Sequence, residues 1–481
     1  MRTKILRVIN KSAMQLVVVG NRFPWPLRDG GAQATYGMLK SLTALGVDVT
    51  YFSYNTEKHW VEESVLAKEF GFLLYQSIPK RSTATALGAL LNLWGKRSYH
   101  VARYYDEAGS LGLQALLQGL ENPVVWVEGL YSISLVEPLL PWLRENGISM
   151  VYRSHNVEYQ IWSRVAAASV NPLKKWYLEL QSGRLRKYEE QAWGWFDVLL
   201  PITEDDRCVM QTVLEAAANL SAGDLYVTSC SNEVRTPQFQ LYQPGFWDLE
   251  GRISEIKNRI EEGTLSSNSP LVENDEIDVS LQQDGADIVI AGVFVDRAAS
   301  DAIGLSVKKH RCFHIGSMEW EANKQSVLWF LQECWPQILE KNPQAEFHLA
   351  GKGLVKDDPK YSGAGVFVHG EVSSSEEFMM EHGIAVVPLL SGSGIRMKIL
   401  EAMLFGCPVV TTRIGMQGLA VTAGKELLVA DGPAEFAEKV LTLMGDTSLV
   451  SIQRNASWEF LRKFHNESEN IQEVLKMISK G

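Results

Sequence analysis

Ser391-Gly-Ser-Gly-Ile-Arg-Met-Lys-Ile-Leu-Glu-Ala-Met-Leu-Phe-Gly-Cys-Pro-Val-Val-Thr-Thr412 reads as a glycine-rich loop, one helix and one strand. Ser393 is a good N-cap, and Gly392 and Gly394 keep the loop backbone bare. Gly406 stands where the glycine after a helix belongs, and Pro408 stops the helix from continuing. The charges are unusual. Arg396 and Lys398 fall in the first helical turn, where the macrodipole and unpaired N–H groups favour negative charge. Two cations added to a positive helix end suit an external anion, of which phosphate is the usual one. The plainer reading is a pair of solvated surface charges. Glu401, three residues after Lys398, is either a surface partner of that lysine or a carboxylate that accepts ribose hydroxyls. In the second case Arg396 or Lys398 grips the diphosphate, arginine by two oxygens and lysine as a point charge.

Outward from this stretch, strands and helices alternate. Cys312–Ile315 ends at Gly316, and Glu346–Ala350 ends in Gly351-Lys352-Gly353. Val366–His369 ends at Gly370, and Ile384–Pro388 leads into the opening motif. A helix from about Asn323 presents Val327, Leu331, Trp335 and Ile338 on one face. In a doubly wound sheet, ligands sit at the carboxyl ends of the strands, and four glycine-bearing loops meet on that edge here. Gly316, Lys352, Gly353, Gly370, Ser393 and Gly394 therefore join Arg396, Lys398 and Glu401 as candidate nucleotide-binding residues. Each glycine alone is equally a turn glycine.

The first part alternates in the same way. Gln15–Gly20 is a continuous apolar strand, as expected where both faces are covered. A helix runs from Asp29-Gly30-Gly31 to about Leu45, then come strands Val47–Ser53, Pro123–Glu128, Ser149–Arg153 and Phe196–Pro201, and a helix enters at Thr203. The pattern predicts a second parallel α/β sheet with right-handed crossovers. Gly30-Gly31 opens a helix after a strand and is a second anion cradle or an ordinary tight turn. Arg153-Ser-His155-Asn156 stands at a strand end. His155 either meets a substrate hydroxyl or serves as a structural hydrogen-bonder, and Asn156 suits an N-cap.

The 481 residues exceed one ordinary domain, and 46% apolar with 21% charged residues fits a globular chain. No apolar run approaches ~20 residues, so no spanning helix is expected. Met1–Ala13 has basic residues but no apolar core of signal-peptide length. Cys208, Cys230, Cys312, Cys334 and Cys407 are dispersed without metal-ligand spacing, which points to reduced thiols in a cytoplasm. Net charge is −11, unevenly placed: residues 1–200 carry 22 Lys and Arg against 17 Asp and Glu, and the remainder 24 against 40. The basic residues form no nucleic-acid module, so a nucleic-acid partner is excluded. Lys174, Lys175, Arg184, Arg186 and Lys187, interleaved with Trp176 and Tyr177, are either a solvated helix face or a contact for an anionic membrane. Leu265–Pro270 and Glu273–Glu276 read as a polar insertion, with Ile288–Val295 as a strand inside it.

Five segments, in order, resemble the retaining GT-B glycosyltransferases of family 4. They are Arg22-Phe-Pro-Trp-Pro to Gly30-Gly31; Ser154-His-Asn-Val-Glu158; Phe196-Asp to Pro201-Ile-Thr-Glu204; Gly316-Ser-Met-Glu-Trp with Asn323; and Gly392 to Thr412. The resemblance covers most of residues 14–205 and 311–445. It implies two Rossmann-like doubly wound domains facing a cleft, the first (1–245, completed by a C-terminal helix at 455–481) for the acceptor. The second (311–454) would hold a nucleotide-diphosphate sugar, with 246–310 as an uncovered insertion. The resemblance further implies transfer of a sugar to a glycan or lipid-linked acceptor hydroxyl with retention. No protein nucleophile, metal or other cofactor is implied, and the location is cytoplasmic or on the inner membrane face. His155 would touch the donor sugar, brought there by domain closure, and Gly30-Gly31 would lie near the diphosphate. Of the family's Glu-x7-Glu motif, the second glutamate falls on Glu401 and the first on Ser393. A nucleotide-sugar epimerase or hydrolase and a non-catalytic binding subunit remain as alternatives.

Overall fold

A computed structural model of the chain describes residues 14–27, 30–167, 169–219, 237–242, 245, 248–261, 310–392 and 395–479. Ser393, Gly394 and the strand expected at Ile288–Val295 lie outside the described residues, as does most of the insertion. The described residues pack into two units. One runs to Asp248 and includes the chain from Phe464 onward, and the other comprises Leu249–Gly392 and Arg396–Lys463.

The first unit is built on a seven-stranded sheet. Its strands are β1 (Gln15–Gly20), β2 (Asp48–Thr56), β3 (Leu74–Lys80), β4 (Pro123–Glu128), β5 (Ser149–Ser154), β6 (Val198–Pro201) and β7 (Gln238–Phe239), in the order β3-β2-β1-β4-β5-β6-β7. All neighbours pair in parallel. β1 shows why its sequence is apolar throughout. Leu16 and Val18 point into one core, and Val17 and Val19 into the other, each fully buried. The first core takes Met38, Leu39 and Leu42 of the helix Gly30–Ala44, and Ile471, Val474 and Ile478 of the last helix. The second takes Leu113, Leu143, Leu185 and Trp193 from the helices on the other face.

The second unit carries a six-stranded parallel sheet. Its strands are β8 (Arg311–Ile315), β9 (Glu346–Ala350), β10 (Val366–Gly370), β11 (Ile384–Val387), β12 (Val409–Thr411) and β13 (Leu428–Val429), in the order β10-β9-β8-β11-β12-β13. Val327, Trp335 and Ile338 face its core as their spacing predicts, together with Phe436 and Val440 of the helix Pro433–Gly445. The helix Leu249–Glu261 belongs to this unit, tied by an Arg462–Glu250 ion pair at 2.6 Å.

Three expectations are corrected. β3 was not anticipated; it is an edge strand with no buried residue that carries Pro79, so it lacks the buried apolar face of a half-buried strand. The single terminal helix expected at 455–481 is two helices, Thr447–Phe464 and Glu467–Ile478, broken at His465-Asn466. The helix of the opening stretch begins at Met397, with Arg396 at the cap position and no side-chain cap bond. Ser393 is thus not its N-cap, and only Lys398 of the two cations is inside the first turn. The far end is as expected: Phe405 caps, and Gly406 follows at φ 71°.

Candidate functional site

In each sheet the strand order reverses once, between β1 and β4 and between β8 and β11. Such switch points open a crevice at the carboxyl ends of the strands.

In the second unit the loops at that edge are joined through their main chains. Gly316 N–H donates to Ala350 O at 3.1 Å, Met318 N–H to Lys352 O at 2.7 Å, and Gly351 N–H to Gly370 O at 2.8 Å. Gly351 has φ 145°, and a Cβ there would stand 1.9 Å from Gly316 O, so only glycine lets the two loops touch. A Cβ on Gly316 would stand 2.6 Å from Lys398 Nζ, which places that ammonium directly over the Gly316 backbone. Lys398 Nζ donates to Asn323 Oδ1 at 3.0 Å and to His314 Nε2 at 3.3 Å. The His314 ring is oriented by its Nδ1–H, which donates to Val386 O at 2.8 Å, and Asn323 by its Nδ2–H to Ser317 O at 2.8 Å. Two neutral acceptors hold the cation, and among the described residues no carboxylate pairs with it at contact. Burial, then the charge of Arg396, pushes the Lys398 ammonium down to about 7, against a weaker upward pull from Glu401. Burial and Lys398 together hold His314 well below the ordinary histidine range, hence neutral. An incoming anion would relieve this strain on the lysine.

Arg396 is buried, and its Nη2 stands 3.0 Å from where a Cβ on Gly392 would be, with Trp320 3.2 Å away on the same side. Gly316, Gly351, Gly392, Arg396 and Lys398 thus share one edge around the β8–β11 switch point. Lys352 Nζ pairs with Glu319 Oε2 at 3.0 Å, both side chains exposed. Gly353 lies against Glu319 as well, and Gly370 against the Leu354–Lys356 backbone. These three shape the loops beside the cation pair.

In the first unit a cavity of about 170 Å³ sits at the β1–β4 switch point, lined by Gly20, Gly31, Thr35, Glu128, Tyr131 and His155 among others. It unites the Gly30-Gly31 helix start with His155. The residue that organises it, Glu128, ends the apolar strand β4 and carries no motif. One of its oxygens accepts from His155 Nε2 at 3.0 Å, Arg153 Nη2 at 3.1 Å and Thr35 Oγ1 at 3.2 Å. The other accepts from Trp126 Nε1 at 2.6 Å. Burial raises the Glu128 carboxyl, but Arg153 and the bonds from His155 and Trp126 outweigh it and hold the group below its ordinary value. The carboxylate fixes a proton on His155 Nε2. Nδ1, above Gly129, is then the ring atom offered to a ligand. The helix after His155 is capped by Glu189, not Asn156: the Glu189 carboxyl accepts the N–H groups of Glu158 and Tyr159, each at 2.9 Å, and burial pushes it up to about 8.

Three histidines also meet away from these sites. His348, His369 and His382 bring ring nitrogens within 4.8 Å of one another, a trio that sequence spacing did not reveal. His348 Nδ1 and His369 Nε2 are 2.9 Å apart, because β9 and β10 pair in parallel. The rings of His348 and His382 stack face to face at 3.8 Å and 10°. Their in-plane lone pairs therefore run side by side instead of converging on one ion, and the trio carries no metal argument.

The basic helix Pro172–Trp193 is also redistributed. Arg184 donates to the carbonyls of Asn92 and Leu93 at 2.8 and 2.7 Å, and Arg186 pairs with Glu190 at 2.7 Å. Lys174, Lys175 and Trp176 are exposed. Among the described residues no helix is long and apolar enough to cross a membrane.

Residues 309–446, which hold the Gly316, Arg396, Lys398 and Glu401 cluster, match the family model described as Glycosyl transferases group 1. A curated Klebsiella pneumoniae protein, named as an uncharacterized 44.6 kDa protein in the cps region, is 25% identical over 179 residues. That match covers 35% of this chain and 46% of the relative, so it spans about half of the relative's length. Among solved structures, Anabaena HepE in complex with UDP-glucose aligns at TM-score 0.55 and 11% identity, covering 97% of this chain and 100% of that one. Sucrose-phosphate synthase from Thermosynechococcus elongatus aligns at 0.55 and 12%, covering 97% and 99%. A UDP-forming α,α-trehalose-phosphate synthase from Burkholderia vietnamiensis aligns at 0.53 and 12%, also covering 97% and 99%. The fold is GT-B. At these identities the likeness establishes the two Rossmann-like domains, and the GT-B frame is what sets the two switch-point sites in their units.

Proposed function

We propose that the chain is a retaining glycosyltransferase of the family 4 type, moving a sugar from a nucleotide diphosphate to an acceptor hydroxyl on a glycan or lipid-linked glycan. The observation that carries this reading is Lys398, held over Gly316 by Asn323 and His314 at a switch point inside the segment that matches the glycosyl transferases group 1 model. Lys398 and Arg396 bind the diphosphate and stabilise the charge that grows on it as the sugar–phosphate bond breaks, an electrostatic role. Glu401 accepts the ribose hydroxyls. His155, oriented by Glu128, contacts the transferred sugar through Nδ1, and Gly30-Gly31 lies near the diphosphate. The acceptor oxygen bonds to the anomeric carbon as the diphosphate leaves, and the acceptor proton passes to the leaving phosphate oxygen, so no protein nucleophile or metal is required. The reaction takes place in the cytoplasm. UDP is the first nucleotide to test, since HepE is in complex with UDP-glucose and the aligned trehalose-phosphate synthase is UDP-forming.

Calorimetry of UDP and UDP-sugars against the wild type and an Arg396→Ala/Lys398→Ala variant tests the reading. Binding that is lost in the variant is expected; equal affinity in both would overturn the anion site. Incubation with donor alone separates transfer from hydrolysis or epimerisation, which release free sugar or an epimer without acceptor.

A further inference from the structure

The helix Ala86–Leu91 and the tighter turn Asn92–Trp94 that continues it carry Leu87, Leu90, Leu91 and Trp94. The spacing i, i+3, i+4, i+7 is one helical stripe, which on a surface helix faces the core. Here it faces away. The four side chains are 66%, 53%, 63% and 80% exposed, and no residue of either piece is buried. The polar side is the one turned to the protein. Asn92 Oδ1 accepts from Gln181 Nε2 at 3.2 Å, and the carbonyls of Asn92 and Leu93 take the two Arg184 bonds. The segment is therefore fastened by its hydrophilic face to the helix Pro172–Trp193, apolar side out.

That long helix extends the apolar surface. Val170, Leu173 and Trp176 at its start are exposed. Leu173 lies three turns before Arg184, on the same side and about 16 Å along the axis. The charges within these two stretches of chain have one sign. No Asp or Glu occurs between Arg81 and Tyr105, or between Val165 and Leu178, in a chain whose net charge is −11. Arg81, Lys96, Lys174 and Lys175 are all exposed.

An outward apolar stripe of this kind marks a protein or a membrane partner. Lysine is depleted in protein interfaces, whereas leucine and tryptophan ringed by cations suit the boundary between lipid headgroups and acyl chains. We propose that residues 86–94 and 170–176 form a docking surface for an anionic lipid bilayer. Leu87, Leu90, Leu91, Trp94, Leu173 and Trp176 enter the interfacial layer, and the four cations meet lipid phosphates. The surface lies wholly in the first unit and is distinct from both switch-point sites.

Cosedimentation of the full chain with vesicles tests this without donor or acceptor, so its outcome is independent of glycosyl transfer. The wild type is expected to bind equimolar phosphatidylcholine–phosphatidylglycerol vesicles about tenfold or more tighter than phosphatidylcholine alone. Leu91→Glu with Trp94→Glu should lower that binding by about tenfold or more. Lys174→Glu with Lys175→Glu should lower it and flatten its salt dependence. All four side chains are exposed, and unchanged thermal unfolding confirms that the variants fold. A wild type that stays in the supernatant with both vesicles, or variants that bind as the wild type does, overturns the proposal. Self-association abolished by the Leu91 and Trp94 changes, without vesicle binding, also overturns it and assigns the stripe to a protein interface.

Discussion

Glu128 accepts a hydrogen bond from His155 Nε2 at 3.0 Å while the same oxygen faces Arg153 Nη2 at 3.1 Å. One buried carboxylate thus sets the direction of a half-exposed histidine and compensates a fully buried guanidinium. Glu128→Gln keeps the volume and removes the charge. Among the described residues Arg153 then keeps one carboxylate partner, Glu467 at 4.0 Å, and the loss in stability should be about 3 kcal/mol. The proton on His155 Nε2 is no longer enforced, so donor turnover should fall by about a hundredfold, with most of the loss in kcat. His155→Ala should lose activity with little loss of stability. Denaturant unfolding and donor turnover of the two variants check this pair of outcomes; equal stability of Glu128→Gln and wild type would sink it.

Lys398 gives a pH dependence with a definite sign. Its folded pKa of about 7 lies below the ordinary lysine value of about 10.4. Between those values the unfolded chain holds the extra proton, so stability rises with pH across that window, and the lysine opposes folding most below pH 7. A bound diphosphate favours the charged ammonium and raises this pKa. Binding therefore takes up a proton at pH 8, and affinity falls as pH rises above 7, by at most about tenfold per unit. Titrations of UDP in buffers of different ionisation enthalpy read the uptake directly. A buffer-independent enthalpy, or uptake that persists in Lys398→Ala, would count against the assignment.

What the sequence revealed depended on how each element meets its surroundings. β1 and β4 were legible because both faces are covered and the run between their first and last residues had to be apolar. β3 was not, since an exposed edge strand with a proline obeys no burial pattern. β7 and β13 are two residues long and leave no period to read. The cation pair was found through its conflict with the helix dipole, although the helix begins three residues later than the Ser393 cap predicts. Glu128 and His314 belong to no motif, so the sequence does not mark them as site residues. The signal they did carry is a polar side chain at or near the end of an otherwise buried strand, which must have a partner. His348, His369 and His382 come together only through strand pairing and one crossover helix, which spacing along the chain does not encode.

Gly316 and Gly351 should separate loop shape from ligand contact. At Gly351 an added Cβ would overlap the Gly316 carbonyl at 1.9 Å and φ is 145°, so Gly351→Ala must push the two loops apart and should cost stability and UDP affinity together. At Gly316 the first atoms met are the movable ends of Lys398 and Asn323, at 2.6 and 2.9 Å. Gly316→Ala should therefore fold nearly as the wild type and weaken UDP by about tenfold or more, through the displaced ammonium. Thermal unfolding with and without UDP distinguishes the two; an unaltered UDP shift in Gly316→Ala would remove Lys398 from the diphosphate.

The last helix, Glu467–Ile478, should prove part of the first unit's core. Ile471 and Val474 are fully buried in the cluster that holds Leu16, Val18 and Met38. At the helix start Glu467 accepts the Gly245 N–H at 2.6 Å and the Tyr242 hydroxyl. Ile471→Ala should destabilise the unit by about 2–4 kcal/mol, the range for a large-to-small change in a packed core. Glu467→Gln weakens the partner of Arg153 and should perturb the Glu128–His155 pair from a distance, lowering turnover more than Ile471→Ala does at equal stability. Chemical denaturation paired with turnover under conditions where both variants are folded decides this. If the two fall together in activity, Glu467 acts by packing alone and the polar chain from the last helix to His155 has no functional weight.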